Sequence, residues 1–371
     1  MTVTAAPSPA HHTPHLDGLR IVAAGAIVVL HYAEYCRGNP IANAAFNHIQ
    51  HFNLLVDLFF VISGFVIASQ YATTVADRRS IARFLWRRLA RIYPLHLATL
   101  AFYLLIAAAI QLGIAKGDNP ARYPLSDIPA QLLLLHAIIG ERLTFNFPSW
   151  SISAEMVCYI AFPLLSALAL RRRALAVWAF AAMIASISIG AIAAGSGPWT
   201  EWINHGGAAR ALPSFLLGIV LYRYQDVIGS RPALKPPMTP VLLIFVAAGS
   251  ALPATAQLML VYAIVILALR LDLTRRRSAF TWFGFERWSD YTYSIYMLHV
   301  PVATIVLSIF GRYAPIDKLA LAPLAVLMLA GASYLSCRFF ETPLRYALYN
   351  LVERRRATGP APAFVPRSGA R

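Results

Sequence analysis

The first apolar run of the sequence holds two polar residues whose spacing suits chemistry along one path. Arg20 and His31 are eleven residues apart. In a helix this is close to three turns, which puts both side chains on one face, about 16 Å apart along the axis. A neutral imidazole can take a proton and return it near neutral pH. We therefore predict His31 as a general base, the alternative being a packed His31 with Arg20 extending toward the surface.

Two carboxylates stand close enough to join this chemistry. Glu34 follows His31 by three residues and either orients the imidazole or faces a connecting loop. Glu155 falls about one turn inside the fourth apolar run, at a depth similar to that of His31. Glu155 and His31 then form either an acid–base pair or a structural salt bridge. We predict His31, Glu155 and Arg20 as the catalytic group, with Glu34 in the pocket beside it.

Two further segments carry features that suit a phosphorylated, slender ligand. Arg88 and Arg91 lie three residues apart on one helical face, and two guanidinium groups there suit phosphates. The alternative is an ordinary cluster of positive charge at the membrane surface. The Ser63-Gly64 step lets either another backbone or a slim ligand approach its helix closely.

The composition of the chain indicates which class of protein holds these polar residues. Of the 371 residues, 58% are apolar and 13% are charged, against about 45–50% and 25% in ordinary soluble domains. A soluble protein has too little interior for this much apolar surface. Three widely separated cysteines give neither a disulfide framework nor a metal motif. The sequence therefore predicts an all-α, polytopic membrane protein.

The charge pattern sets the predicted topology. The formal net charge is +16, but the basic residues lie in bursts between apolar runs and form no nucleic-acid-binding face. The predicted runs are 18–36, 52–72, 92–114, 150–170, 174–195, 208–225, 239–252, 254–271, 290–311 and 318–349. Alternate connections are rich in arginine. Placing them inside gives about ten helices with both termini cytoplasmic, and the first run is a retained span instead of a cleaved signal.

The same pattern predicts the domain organisation and excludes several kinds of site. We expect a disordered cytoplasmic segment over 1–15, a transmembrane domain over 16–350 and a basic, proline-rich cytoplasmic tail over 351–371. The histidines His31, His136 and His299 lack the spacing of a metal motif. Phosphate-binding loops and nucleophile-elbow motifs are absent from the sequence. We expect neither a metal nor a permanently bound cofactor.

Six segments in this order resemble the membrane acyltransferase 3 family of bacterial O-acyltransferases. They are LDGLR with the Arg20–His31 spacing, DLFFVISGF, RRLARIYP, PSWSISAE, YSIYMLH and FFETP. The resemblance covers about 330 residues, from Leu16 to Arg345. It implies transfer of an acyl group, usually acetyl, from cytoplasmic acyl-CoA to a hydroxyl of an extracytoplasmic or lipid-linked carbohydrate. It also implies a multi-pass protein of the bacterial cytoplasmic (inner) membrane, surrounded by lipid.

The resemblance implies roles for particular residues. Arg88 and Arg91 would bind the CoA phosphates, and Arg20 would line the inner part of the path. The pantetheine arm would pass Phe60, Ser63 and Gly64. The acceptor pocket near His31 would include Glu34, Trp150, Ser153, Tyr296 and His299. Because the sequence ends soon after the tenth run, without the esterase domain of some relatives, we expect a one-component reaction.

Other functions are compatible with the same pattern. A membrane exporter of a glycan or its precursor would also hold buried charges in a ten-helix bundle, although the sequence lacks the repeated halves of many transporters. An inert subunit of a glycan assembly complex gives no reason for Arg20 and His31 to share a face. For the enzyme, direct transfer is favoured over a two-step route through an acylated His31.

Overall fold

The computed structural model describes residues 13–114, 120–230 and 237–357, and within these residues it is built from helices without β-strands. The first nine helices are α1 Pro14–Tyr35, α2 Pro40–Ile49, α3 Leu55–Tyr71, α4 Arg78–Gln111, α5 Ile128–Leu132, α6 His136–Ile139, α7 Trp150–Arg171, α8 Arg173–Ala194 and α9 Gly207–Arg223. The others are α10 Gln225–Ser230, α11 Met238–Ala248, α12 Ala254–Leu273, α13 Ala279–Trp282, α14 Thr292–Ala303, α15 Gly311–Tyr313, α16 Lys318–Leu335 and α17 Thr342–Ala357. The π-helical segments Thr304–Phe310 and Ser336–Glu341 continue α14 and α16.

The described helices include eight that are long and apolar enough to cross a membrane. They contain α1, α3, α4, α7, α8, α12, α14 and α16, some of them extended by adjoining turns. Helix α8 leaves large apolar side chains exposed, among them Trp178 and Ile192, as expected of a surface in contact with lipid. The predicted all-α, polytopic membrane fold is confirmed. A total of ten spans requires the shorter helices α9 and α11 and stays a prediction.

The connections predicted to be basic gather at one end of the bundle, called here the basic end. The start of α1 meets the end of α12, where His15 Nδ1 lies 2.6 Å from Asp272 Oδ1. The ends of α7 and α9 meet where Arg223 donates to the Ala169 carbonyl at 3.0 Å. Helix α17 packs against α4 near the same end. These contacts bring arginine-rich connections together at one end, and the side of the membrane that this end faces stays a prediction.

Helix α4 begins earlier than its apolar residues predict. The apolar run begins at residue 92, and Arg88 and Arg91 were expected at the entrance of the helix, but the helix already starts at Arg78. The carboxylate of Asp77 accepts hydrogen bonds from the backbone of Arg79 and Ser80, and the Ser80 hydroxyl accepts one from the Asp77 backbone. This capping box satisfies free N–H groups of the first turn, and these bonds lower the pKa of Asp77. The extra turns carry Arg88 into the bundle.

The central helix pair, α3 and α9, is fixed by two glycines. A Cβ atom on Gly64 would lie 2.0 Å from the Phe215 carbonyl oxygen, and one on Gly218 would lie 2.1 Å from that of Val61. Small residues at such a crossing let two backbones approach within van der Waals distance. Of the two roles considered for Gly64, the structure shows close approach by another backbone, and its place on a ligand path stays a prediction.

The predicted boundaries of the terminal segments differ slightly from the helices. Helix α1 begins at Pro14 and α17 extends to Ala357, whereas the transmembrane domain was predicted over 16–350. The remainder of the predicted disordered segment, 1–12, and of the predicted tail, 358–371, lies outside the described residues.

Candidate active site

The described residues form cavities inside the bundle, and three of them are lined by most of the predicted site residues. The largest of these three, about 720 Å³, contains His31 and is called the histidine cavity. A second, about 200 Å³, contains Arg20, Arg88 and Arg91 and is called the arginine cavity. A third, about 350 Å³, is called the terminal cavity and lies between the start of α14 and the π-helical end of α16.

Shared wall residues place these cavities in series. Val56 and Tyr296 line both the histidine and the arginine cavities. Arg91 and Tyr293 line both the arginine and the terminal cavities. In space, the terminal cavity lies at the basic end, the arginine cavity in the middle of the bundle and the histidine cavity toward the end where α1 finishes. A ligand long enough to occupy all three would extend from the basic end to His31.

The imidazole of His31 is held by a second imidazole. His31 Nδ1 lies 2.7 Å from Nε2 of His299, and His299 Nδ1 lies 2.6 Å from the carbonyl oxygen of Tyr296. The two rings are nearly parallel, with an interplanar angle of 9°. His299 was predicted as a pocket residue, and the structure makes it the hydrogen-bond partner of His31.

These contacts determine the tautomers of two neutral rings. A carbonyl oxygen only accepts hydrogen bonds, so His299 carries its proton on Nδ1 and presents a lone pair on Nε2. His31 Nδ1 must then be the donor between the rings. The remaining nitrogen, His31 Nε2, is an unprotonated base. His31 is partly exposed and lines the histidine cavity, with the ring of Phe147 edge-on at 4.9 Å.

Tyr296 forms the wall between the two inner cavities. Its hydroxyl donates to the Pro148 carbonyl at 3.1 Å and accepts from the Ser151 hydroxyl at 2.9 Å. Ser151 belongs to the first turn of α7, so Tyr296 ties α14 to the entry of α7. The neighbouring Trp150 lines the histidine cavity, as predicted for the acceptor pocket.

The connection that enters α7 is itself a buried polar cluster. His136 Nε2 lies 3.0 Å from the Ser149 carbonyl oxygen, and its ring stacks at 5.8 Å on that of His96. Burial lowers the pKa of His136, which keeps it neutral at neutral pH. Ser153 accepts from the Ala137 backbone and donates to the Leu134 carbonyl. Ser153 therefore anchors this connection and lies outside the three cavities, contrary to its predicted pocket position.

Glu155 lies in the arginine cavity and is not paired with His31. Its carboxylate accepts hydrogen bonds from Ser63 at 3.0 Å and from Tyr159 at 2.5 Å. Sequence depth alone placed Glu155 beside His31, but α7 turns this residue toward α3. The predicted pair of Glu155 and His31 is wrong as a contact.

Other residues predicted along the acyl-CoA path lie in the walls of the arginine cavity. Arg20, Phe60 and Ser63 all line it. Arg88 lies in the same wall and donates to the Tyr71 hydroxyl at 3.0 Å, with its guanidinium 4.9 Å from the centre of that ring. Three guanidinium groups and a single carboxylate, that of Glu155, face this space, so the cavity favours an anionic ligand.

Glu34 lines the histidine cavity and is exposed to it. Glu34 was expected either to orient the His31 imidazole or to face a connecting loop. Its exposure favours the second position. Other charged residues of this cavity had no predicted role. They are Arg122, Glu201, Arg210 and Lys318.

The buried ion pair of Asp57 and Arg210 was not predicted from the sequence. The guanidinium reaches Asp57 Oδ2 at 2.7 Å, and both side chains are almost fully buried. Ser214 donates to the other carboxylate oxygen at 2.9 Å. The guanidinium also lies 5.2 Å from the centre of the Trp150 ring. Both charges interrupt apolar runs, and this signal alone could have marked them.

Among the described residues, no group of three or more His, Cys, Asp or Glu side chains is arranged to hold a metal ion. The chemistry available at this site is that of a neutral imidazole base beside a large cavity, with arginines on the approach from the basic end.

The helices and cavities described above are those of a multi-pass membrane protein with polar residues in its interior. Residues 14–338 match the family described as "Acyltransferase domain", acyltransferase 3, and the chain belongs to this family. It is 29% identical to "Acyltransferase MdmB" of Streptomyces mycarofaciens, over 94% of this chain and 95% of that protein. It is 28% identical to "Protein 2 in picA locus" of Rhizobium radiobacter, over 47% of this chain and 92% of that protein. No solved structure matches the chain significantly.

Proposed function

We propose that this membrane acyltransferase moves an acyl group, most simply acetyl, from cytoplasmic acyl-CoA to a hydroxyl of an extracytoplasmic or lipid-linked carbohydrate. The observation that carries the proposal is the orientation of His31. The contact with His299 leaves Nε2 of His31 unprotonated, His31 lines the cavity of about 720 Å³, and the arginine cavity adjoins that cavity at Tyr296.

The proposed reaction is direct transfer. His31 Nε2 takes the proton of the acceptor hydroxyl while the hydroxyl oxygen attacks the thioester carbonyl carbon. The tetrahedral adduct then collapses, the carbon–sulfur bond breaks, and the CoA thiolate leaves. The proton on His31 Nε2 passes to this sulfur, which restores the neutral imidazole. His299 accepts from His31 Nδ1 throughout and stabilises the positive charge that His31 carries between the two proton transfers.

The arginine cavity supports acyl-CoA as the donor. Its guanidinium groups suit the diphosphate, and the path past Phe60 and Ser63 toward Tyr296 suits the uncharged pantetheine arm. The donor is a co-substrate and not a resident cofactor. Because arginine-rich connections face the cytoplasm in multi-pass proteins, we place the basic end there, with the protein in the bacterial inner membrane.

The histidine cavity supports a carbohydrate acceptor. Its volume of about 720 Å³ lies within the range of small-molecule pockets. The side chains of Glu34, Glu201 and Gln50 offer oxygen acceptors for sugar hydroxyls, and Phe147 and Trp150 offer apolar faces for a sugar ring. On this arrangement the acceptor enters from the end opposite to the donor.

The test is acyl-CoA turnover by the full-length protein in liposomes. We expect thiol release from acetyl-CoA that depends on added envelope glycan. His31→Ala removes the base and should lower the rate about 10²–10⁴-fold while acetyl-CoA still binds. His205→Ala is the matched control, because His205 is exposed and lies outside the three cavities.

The outcomes separate the enzyme from an exporter. Glycan-dependent release that is lost in His31→Ala and kept in His205→Ala supports the proposal. Full turnover by His31→Ala would contradict the role of this base. Glycan movement across the membrane without thiol release would favour the exporter.

A further inference from the structure

The terminal cavity has the chemistry of a second anion site. Its walls carry three guanidinium groups, from Arg91, Arg338 and Arg345. Two carboxylates, Asp290 and Glu341, also face it. The formal charge of the walls is therefore positive, in a space of about 350 Å³.

The carboxylate of Glu341 is engaged elsewhere. One of its oxygens accepts hydrogen bonds from Ser294 at 2.6 Å and from Ser336 at 2.7 Å. Among the described residues, no ion pair joins Arg338 or Arg345 to a carboxylate. The serines thus hold the acidic group in place and leave the arginine charge available to a ligand.

The backbone around these arginines is built in an uncommon form. Arg338 and Glu341 belong to the π-helical segment Ser336–Glu341, between α16 and α17. A π-helical turn changes the direction of the side chains that follow it, and such turns often occur at functional sites. Here it brings Arg338 and, one turn into α17, Arg345 to the same cavity as Arg91 of α4.

We infer that the terminal cavity binds the 3′-phosphate of the CoA nucleotide through Arg338 and Arg345. This inference rests on the proposed use of acyl-CoA. Starting from the thiol, CoA consists of the pantetheine arm, the diphosphate and then the ribose with its 3′-phosphate. With the thioester at His31 and the diphosphate in the arginine cavity, the 3′-phosphate falls in the next cavity, beyond Arg91 and Tyr293.

The test compares CoA with 3′-dephospho-CoA, which lacks this phosphate alone. Dissociation constants are measured by equilibrium dialysis on the purified full-length protein. We expect the wild type to prefer CoA by roughly tenfold or more, as for a phosphate held by two guanidinium groups. The double variant Arg338→Ala with Arg345→Ala should lose this preference and bind 3′-dephospho-CoA as the wild type does. That unchanged affinity also shows that the variant is folded.

The matched control is Arg276→Ala, which removes an exposed arginine after the end of α12, outside the cavity. It should keep the preference for CoA. A double variant that also keeps the preference would overturn the inference while leaving the proposed function intact. A wild type that binds both compounds equally would overturn it as well.

Two results would point elsewhere. A wild type that binds neither compound contradicts the acyl-CoA donor itself, and with it the inference. An anionic lipid headgroup offers the same phosphate chemistry, so bound phosphatidylglycerol is measured on the same samples. Loss of this lipid from the double variant, with an unchanged preference for CoA, would assign the cavity to lipid.

Discussion

Nδ1 of His31 lies 2.7 Å from Nε2 of His299, and Nδ1 of His299 donates a hydrogen bond to the carbonyl oxygen of Tyr296. This chain of contacts leaves His31 Nε2 as the free base. The relationship parallels the use of a hydrogen-bonded group behind a catalytic histidine to fix its tautomer. The proposed proton acceptor of the reaction is therefore the Nε2 atom of His31.

The first prediction concerns His299 as a positioning residue. His299→Phe removes the acceptor behind His31 Nδ1 and should lower kcat roughly tenfold to a thousandfold, because the wrong tautomer becomes accessible. The KM for acyl-CoA should stay unchanged, since His299 lines neither the arginine nor the terminal cavity. His299→Gln retains an oxygen acceptor and should recover part of the rate.

A double-variant cycle separates this role from a merely structural one. If His299 acts through His31, the combination of His31→Ala and His299→Phe should be no slower than His31→Ala alone. Independent, additive losses would show that His299 does not act through this pair. The measurement is steady-state thiol release for the four proteins.

The second prediction concerns the phosphate-binding arginines. Arg88→Ala with Arg91→Ala removes two guanidinium groups from the arginine cavity and should weaken acyl-CoA binding by roughly tenfold or more. The melting temperature should change little, because neither side chain pairs with a carboxylate among the described residues. Acyl-CoA affinity equal to that of the wild type would remove these residues from the donor site.

The third prediction concerns the crossing of α3 and α9. Gly64→Ala places a methyl group against the Phe215 carbonyl and should destabilise the fold by about 1–3 kcal/mol, the usual effect of overpacking. Gly25→Ala is the matched control, because a Cβ atom there meets nothing within 4 Å. Thermal unfolding in detergent compares the two. Equal melting temperatures would show that α3 and α9 are not in close contact.

The fourth prediction concerns the buried pair of Asp57 and Arg210. Asp57→Asn leaves a buried guanidinium without its counter-charge and should cost about 3–5 kcal/mol of stability. Asp226→Asn is the matched control, because its ion pair with Arg173 has the same 2.7 Å separation but is exposed. The control should unfold at the wild-type temperature. Equal losses in the two variants would contradict the importance of burial.

The sequence determines most of the helices but fewer of the contacts between them. Apolar runs and arginine-rich connections locate the spans, and the spacing of Arg20 and His31 correctly places both side chains toward the interior. Glu155 shows where this reasoning ends. Depth along a helix can be read from the sequence, whereas the rotation of α7 that turns Glu155 toward Ser63 depends on packing.

Contacts between residues far apart in the sequence could not be predicted for the same reason. His299 lies 268 residues from His31, and Arg210 lies 153 residues from Asp57. Each residue is visible as a polar group in an apolar run, but a single sequence carries no signal for the pairing. The choice between a backbone and a ligand beside Gly64 likewise depended on the neighbouring helix.

The central claim is that donor and acceptor reach His31 from opposite ends of the bundle. The most direct measurement uses proteoliposomes of determined protein orientation, with labelled acetyl-CoA on one side and the glycan acceptor on the other. We predict labelled glycan only when acetyl-CoA faces the basic end, and none with His31→Ala. A second sample receives both substrates at the end opposite to the basic end. If its glycan is labelled as strongly as when acetyl-CoA faces the basic end, the acyl group does not pass between the cavities.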